Sequence, residues 1–172
     1  MQRFFLLPGF PLTKGTIATI KVTIIMNTDT RLAVSAHILA MLAFAPPGGV
    51  YTSERVAQSV KTNPVVVRRL LGSLKKSGLV VIVRGKGGAA LARPAETITL
   101  LDVFNAVVPP ARRCPFELHQ EPSSRCFIGK NIHDALEMPL AKARNALQES
   151  LTTTTIADIA AFIRVRREND AN

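Results

Sequence analysis

The 172-residue sequence has only two cysteines, no tryptophan and few acidic residues. Cys114 and Cys126 are too few for a disulfide scaffold and lack the C-x-x-C spacing of a zinc site. This cysteine usage predicts a protein of the reducing cytoplasm. The 12 acidic residues stand against 22 lysines and arginines, which gives a net charge of +10. That charge predicts a polyanionic partner, although it does not by itself distinguish nucleic acid from a membrane surface.

The first 25 residues are apolar but do not have the pattern of a signal peptide or a membrane span. Pro8 and Pro11 interrupt the apolar run, and no small-residue cleavage signature follows. Met26 directly precedes a helix-start pattern. We interpret residues 1–25 as an N-terminal extension, either upstream of the true start or contributing a strand over residues 16–25, and we expect no membrane partner.

Motifs of common enzyme classes are absent from the sequence. It has no Walker-type phosphate loop, no paired histidine and carboxylate motif, and no nucleophile elbow. The glycine-rich segment at 85–88 lacks the strand-to-helix setting of a nucleotide-binding fingerprint. We therefore expect no enzyme, no catalytic residue and no metal site.

Residues 27–60 are predicted to form two helices. Thr28 and Asp29 are capping residues for the first, whose apolar positions recur at helical spacing as far as Ala43. The prolines and glycines at 46–49 end it. A second, short helix begins after Thr52 or Ser53 and buries Val56, Ala57 and Val60.

A third helix is predicted to begin at Asn63 and Pro64, which are favoured at the N-cap and the first helical position. Four apolar residues at positions i, i+3, i+4 and i+7 form its buried stripe: Val67, Leu70, Leu71 and Leu74. The outward face then carries Val65, Arg69, Gly72, Ser73 and Lys76, with Arg68 and Lys75 on one flank. Gly78 is expected to end the helix.

A basic hairpin follows this helix. Residues 79–84 and 89–92 are predicted strands around the glycine-rich tip at 85–88. Between Glu54 and Glu96 the sequence has no acidic residue, and its cations are Arg55, Lys61, Arg68, Arg69, Lys75, Lys76, Arg84, Lys86 and Arg93. Such a segment can neutralise phosphates and release condensed counterions, whereas the alternative is a solvated basic face.

Two helices, a turn and a basic hairpin match the docking geometry of a winged helix-turn-helix, whose second helix enters the major groove of duplex DNA. We expect base contacts from the first half of that helix, namely Asn63, Val65, Val66 and Arg69. Small residues on its outward face, Gly72 and Ser73, permit close approach. Phosphate contacts are expected from Lys75, Lys76 and Lys86, and Arg84 at the base of the wing is expected to enter a minor groove.

The remaining sequence predicts three further helices. Thr99 and Asp102 form a capping-box pattern for a short fourth helix, and a cysteine-containing loop covers residues 109–127. A long amphipathic helix runs from about Ile128 to Leu151, with Pro139 expected to kink it. Its apolar stripe is Ile128, Ile132, Leu136, Leu140, Ala143, Leu147 and Leu151. Thr155 and Asp158 repeat the capping box for a last helix, with Ile156, Ile159, Ala160 and Ile163 facing inward.

The segment TNPVVVRRLLGSLKKSGLVVIVRGKGGAALARPAETITLLDVFNAV resembles the Rrf2 family of winged-helix repressors, and the similarity extends from about residue 26 to residue 167. Its most specific parts are LLGSLKKSGL, RGKGGAALA, residues 97–107 and the later TTTIADI. The resemblance implies that the long helix is a dimerisation helix. It would cross its partner so that two recognition helices meet successive major grooves.

The resemblance also suggests that the protein could bind an iron–sulfur cluster. Some family members bind such a cluster through three cysteines that precede the long helix. Here Gln120 lies midway between Cys114 and Cys126, and Gly129 replaces a histidine that other members use. We expect no cofactor, while a cluster completed by His119 or by the other subunit stays an open alternative. Two other roles of the cysteines also stay open. They could form a redox switch, because neighbouring arginines favour a reactive thiolate, or they could have only a packing role.

Taken together, the sequence predicts a mainly α protein with a small β-wing. Its segments are an extension at 1–25, a winged helix-turn-helix at 26–108, a loop at 109–127, and the dimerisation and C-terminal helices at 128–172. The expected function is a homodimeric repressor on a pseudo-palindromic operator. Two alternatives are a redox-sensing regulator of the same fold and a winged-helix adaptor for an acidic protein, which would not show salt-dependent binding to a palindromic duplex.

Overall fold

A computed structural model describes residues 30–46, 48–83, 85, 87–110, 113, 116–119 and 122–170. Within these residues the elements are α1 (Thr30–Ala43), α2 (Ser53–Val60), α3 (Pro64–Lys76), β1 (Val80–Val83), β2 (Gly88–Leu91), a 3-10 turn (Ala95–Thr97), α4 (Leu100–Val107), α5 (Phe127–Thr152) and α6 (Ile156–Asp170). The predicted mainly α fold with a β-wing is confirmed. The N-terminal extension at 1–25 lies outside the described residues. No described helix is both long enough and apolar enough to cross a membrane.

The turn between α2 and α3 forms as the capping residues predict. The Thr52 hydroxyl accepts a hydrogen bond from the Arg55 backbone N–H at 3.3 Å, and the Asn63 side-chain oxygen accepts one from the Val65 N–H at 2.8 Å. Lys61 adopts the left-handed conformation, with φ of 53°. Each cap satisfies a backbone donor that a helix start leaves without a partner, so the chain leaves α2 and enters α3 within three residues.

The core lies beneath α3. All four residues of the predicted stripe are buried, namely Val67, Leu70, Leu71 and Leu74. They belong to one cluster with Ile38 and Leu39 of α1, Val56 of α2, Val103 of α4 and Ile156 of α6. Full burial of one such aliphatic side chain stabilises a fold by about 1.5–3 kcal/mol. Because α3 contributes four, its rotation about its own axis is fixed.

Gly78 ends α3 and directs the chain into the hairpin. Its φ is +69°, a conformation in which glycine avoids the strain of a Cβ. The Gly78 N–H donates to the Lys75 carbonyl at 3.0 Å, and the Leu79 N–H donates to the Leu74 carbonyl at 2.9 Å. This pair of bonds is a Schellman motif, in which Leu79 packs back on the helix end. The predicted stop at Gly78 is confirmed.

The hairpin pairs β1 with β2 in antiparallel register, from Val80 opposite Leu91 to Val83 opposite Gly88. A further bridge joins it to the start of α2, because Tyr51 and Ala89 exchange backbone hydrogen bonds of 3.2 and 2.9 Å. The sequence patterns did not indicate this bridge, and they placed Gly88 in the tip rather than in β2. A Cβ on Gly88 would lie 2.7 Å from Val50 Cγ2 and 3.0 Å from the Tyr51 carbonyl oxygen. Glycine therefore allows the two segments to approach.

Helices α4 and α6 begin side by side, each with the capping box that the sequence predicts. Thr99 and Asp102 exchange side-chain-to-backbone hydrogen bonds of 3.1 Å at the start of α4. Thr155 and Asp158 do the same at the start of α6, at 2.8 and 3.1 Å. Backbone bonds join the two starts, including 2.8 Å from the Ile156 N–H to the Ile98 carbonyl. This anchors α6 to the core at its first turn.

The prediction that Ile163 faces inward is wrong, because its side chain is 42% exposed. Ile156 and Ala160 are buried as predicted, and Ile159 packs against the core. From residue 161 to residue 170 every side chain of α6 is exposed. The helix therefore extends past the edge of the core, where its apolar spacing continues without a surface of the same chain to cover it.

Helix α5 extends one residue beyond the predicted bounds at each end and contains Pro139. It buries none of its own side chains fully. Within the predicted stripe, Ile128 is 69% exposed and Leu147 is 38% exposed, and the other members are half-buried. One side of α5 packs against α4. Much of the apolar stripe of this 26-residue helix is therefore left uncovered by the part of the chain that the structure describes.

Replacement of Gly88 by alanine is expected to destabilise the protein by about 1–3 kcal/mol, because the new methyl group would overlap Val50 and the Tyr51 carbonyl. Gly72→Ala is the matched control. No atom lies within 4 Å of a Cβ added at Gly72, and alanine is favoured over glycine in a helix by about 1 kcal/mol. Urea unfolding of both variants measures the two changes, and equal effects would contradict the close approach at Gly88.

Candidate nucleic-acid interface

The exposed side of α3 combines apolar and basic side chains. Val65 is 55% exposed and Val66 is 39% exposed in its first turn, and Arg69 is exposed one turn later. The helix contains no acidic residue. We call Val65, Val66, Arg69, Gly72 and Lys76 the α3 outer face. Exposed valines at a helix start do not stabilise the monomer, so they are available to a partner.

The last turn of α3 carries two adjacent lysines. Both side chains, Lys75 and Lys76, are exposed. Their positive charges there interact favourably with the negative end of the helix dipole. Ser73, which the sequence places on the outward face, is half-buried. Arg84 and Lys86, the predicted wing contacts, lie outside the described residues. The structure therefore brings most of the predicted contacts onto one helix and leaves the wing cations as sequence predictions.

Arg68 differs from the other described cations of α3 because it forms an ion pair with an acidic residue. One of its guanidinium nitrogens lies 2.6 Å from a Glu54 carboxylate oxygen, and both side chains are more than half exposed. The ion pair links α2 to α3 across the turn. A hydrogen bond from the Glu54 backbone lowers the pKa of this carboxyl group most, and the bond from Arg68 lowers it next. The charge pattern of the sequence did not indicate this pair. The packing of α2 against α3 brings Glu54 and Arg68 together.

The start of α2 contributes a second contact that the sequence analysis missed. The Arg55 guanidinium carbon lies 4.8 Å from the centre of the Tyr51 ring, a cation–π arrangement. Tyr51 is also the residue that bridges to β2. The short β-prone run Val50-Tyr51 before the Thr52 cap was the available sequence signal. The contact orients Arg55 beside the joint between α2 and the hairpin.

Residues 28–161 match the Rrf2 family, whose description is iron-dependent transcriptional regulator. The chain is 34% identical over 131 residues to YwnA of Bacillus subtilis, a protein named as an HTH-type transcriptional regulator. This match covers 76% of the chain and 95% of YwnA. The family match, residues 28–161, includes α1 to α5 and the start of α6.

Solved structures show the same fold. One described as a DNA binding protein superimposes with a TM-score of 0.59 at 32% identity, over 75% of this chain and 97% of that one. CymR, described as the global cysteine regulator of B. subtilis, superimposes with a TM-score of 0.61. It is 24% identical, over 78% of this chain and 96% of CymR, and this likeness supports the fold alone.

The described residues do not fit the ligand set of an iron–sulfur cluster, which needs four donors. Cys126 is an exposed free thiol at the N-cap of α5, and Cys114 and Gln120 lie outside the described residues. His133 Nε2 lies 2.8 Å from the His119 carbonyl oxygen, and the two rings meet edge to face. Among the described residues no three histidine, cysteine or carboxylate side chains lie close enough to hold a metal ion.

Replacement of Arg68 by glutamine is expected to raise the pKa of Glu54 towards its ordinary value, because one of the groups that stabilise the carboxylate is lost. The pKa should stay below the ordinary value, since the backbone hydrogen bond persists. The stabilisation from the pair is present at neutral pH and is lost as the pH falls through the lowered pKa. NMR titration of the Glu54 carboxyl carbon measures the change. Arg69→Gln is the control, and a shift of equal size there would exclude a specific pair.

Proposed function

The chain belongs to the Rrf2 family of transcriptional regulators, and we propose that it is a homodimeric repressor whose α3 reads a pseudo-palindromic operator. DNA-binding transcription regulation is the function of this family, whose members are regulators and not enzymes. The observation that supports the finer proposal is the α3 outer face, which is exposed, free of carboxylates and rich in cations. A helix with these properties, presented on a turn after a shorter helix, suits the major groove.

The first half of α3 offers the side chains that discriminate bases. Arg69 is exposed and has the planar donor fork that pairs with the O6 and N7 of guanine. Val65 and Val66 present methyl groups suited to the methyl group of thymine. Asn63 uses its side-chain oxygen for the cap at 2.8 Å, which leaves its amide NH₂ to donate to an acceptor on DNA. The combination favours sequence-specific contact over binding by charge alone.

The second half of α3 and the wing offer phosphate contacts. Lys75 and Lys76 are point charges on flexible stems, which bind phosphates without reading a base. Lys86 and Arg84 are assigned to the backbone and the minor groove from their positions in the sequence. Arg68 pairs with Glu54 at 2.6 Å, so a phosphate would have to compete with this carboxylate. We therefore expect Arg68 to contribute less to DNA affinity than its charge suggests.

The dimer is proposed to form along α5. The helix has no fully buried side chain, and its apolar stripe runs over six turns from Ile128 to Leu151. Surface of this kind is stabilised when a second copy covers it, and an isologous contact between two identical helices gives a twofold axis. A twofold protein matches a pseudo-palindromic operator, because each recognition helix meets an equivalent half-site.

Arg69→Ala is expected to reduce affinity for the operator by about 1–3 kcal/mol and to relax base preference, because a bidentate contact with guanine is lost. Lys76→Ala should instead weaken binding to all duplexes alike and reduce the salt dependence. Fluorescence anisotropy with the operator, selected from genomic fragments by the purified protein, and with a scrambled duplex separates the two effects. Equal losses on both duplexes for Arg69→Ala would exclude it from base recognition.

Substitution of Leu136 and Leu147 together by glutamate is expected to dissociate the dimer, because two charges would be buried along the α5 stripe without partners. Met138→Glu with Asn131→Glu is the matched control, since both residues are exposed and their helical positions lie opposite the stripe. Sedimentation velocity measures the oligomeric state. A dimer that survives in the Leu136 and Leu147 variant would locate the interface elsewhere, and a chain that is monomeric without any substitution would overturn the homodimer.

A further inference from the structure

A pocket of about 320 Å³ lies between α4 and α5. Five residues of α5 line one side, namely Arg144, Asn145, Leu147, Gln148 and Leu151. Phe104 of α4, Pro110 and Arg113 line the other. The volume is at the lower end of the range for small-molecule sites. Its walls include three large apolar side chains and two guanidinium groups, beside Pro110 and two side-chain amides.

Both guanidinium groups are held in position by backbone carbonyls. Arg113 Nε donates to the Val108 carbonyl oxygen at 2.8 Å, and a terminal nitrogen donates to the Asn105 carbonyl oxygen. Arg144 donates from one terminal nitrogen to the Phe116 carbonyl oxygen at 3.3 Å. An arginine has five N–H donors. Each of the two groups therefore keeps donors for a further acceptor while its orientation is already restrained.

The positive charge in the pocket is not neutralised by the described part of the chain. None of the described residues that line the pocket is acidic. The ion pairs among the described residues are Arg68 with Glu54 and Arg93 with Asp102, and neither includes Arg113 or Arg144. Both arginine side chains are half-buried, so their charges are less screened than those of fully exposed lysines.

We propose that this pocket binds a small organic carboxylate with an apolar body. The carboxylate accepts hydrogen bonds from Arg113 and Arg144, which suit its planar geometry. The apolar body contacts Phe104, Leu147 and Leu151. The two leucines also belong to the α5 stripe, so the pocket lies at the C-terminal end of the proposed dimer interface. An inorganic anion would satisfy the charge but would leave this apolar wall in contact with water. A neutral ligand of the same shape would leave the arginine donors without a charged acceptor.

The position of the pocket allows ligand binding to affect DNA binding, and this consequence rests on the proposed function. Helix α4 packs against α3, and α5 is the proposed dimer helix. A ligand between α4 and α5 fixes their relative position, and that position sets the spacing of two α3 helices in a dimer. Binding can change DNA affinity only if the ligand favours one of these arrangements.

The test uses phenylacetate as the probe, in isothermal titration of the full chain without DNA. Phenylacetamide is the neutral control of the same shape, and acetate is the control without an apolar body. We expect phenylacetate to bind, and both controls to bind at least about tenfold more weakly. Phenylacetamide lacks the charge-assisted hydrogen bonds, and acetate lacks the apolar area that would be buried. No measurable binding of phenylacetate would overturn the proposal, as would equal binding of phenylacetamide. A pocket filled by the α5 of a second copy would give the first of these results.

Two variants test the residues. Arg144→Gln should weaken phenylacetate binding by about tenfold or more, since it removes one of the two cations. Gln148→Glu adds a carboxylate at an exposed position of the pocket and should weaken binding through like-charge repulsion without affecting the core. Arg166→Gln on α6 is the control with the same loss of charge and should bind as the unmodified protein does. Unchanged affinity in both pocket variants would overturn the assignment.

The effect on DNA is measured separately, by operator anisotropy with and without saturating phenylacetate. A change in operator affinity that Gln148→Glu abolishes would support the coupling between pocket and recognition helix. If the protein fails to bind any duplex, the proposed function fails while the titration without DNA still decides the pocket. If it binds DNA with the same affinity in both conditions, the pocket has no regulatory effect through α3.

Discussion

Burial of one stripe of α3 is the constraint on which the rest of the structure depends. Val67, Leu70, Leu71 and Leu74 enter the core together, and a helix that buries one side must expose the other. The same rotation sends Val65, Val66 and Arg69 into solvent. The basic outer face is therefore not separate from the fold. A change that loosened the stripe would alter the direction of every side chain proposed to read DNA.

Three short connections transmit that constraint to the neighbouring elements. The Asn63 cap fixes where α3 begins relative to α2, and the left-handed Gly78 fixes where the hairpin leaves it. The Tyr51 bridge then joins the hairpin back to α2. The wing and the helix pair are thus connected at both ends, which gives the surface proposed to face DNA a defined shape before any partner binds. Preorganisation of this kind reduces the ordering cost of association.

Helices α5 and α6 differ from this unit because they extend beyond it. α6 is buried only over its first turns, and α5 has no fully buried side chain. Both leave apolar side chains uncovered, Phe127 and Ile128 at the start of α5 and Phe162 and Val165 in the second half of α6. The proposed dimer would cover the apolar stripe of α5, and the proposed anion would bind in the pocket between α4 and α5. The chain belongs to a family of transcriptional regulators. This agrees with a structure in which a compact unit, proposed to recognise DNA, is joined to helices α5 and α6, whose position relative to it can change.

The sequence by itself determined the order and type of the elements, because caps, helical spacing and glycine stops act between residues close together in the chain. Local signals were therefore sufficient to predict where these helices begin and end: Asn63 with Pro64, Gly78, and the two Thr and Asp capping boxes. Only the tertiary structure decided the features that depend on distant residues. The bond between Glu54 and Arg68 spans 14 positions, the Tyr51 bridge spans 38, and Ile163 is exposed because the core ends before it reaches that turn. Periodicity shows which side of a helix is apolar, but it cannot show how far the opposing surface extends, and that distance is set by packing between elements.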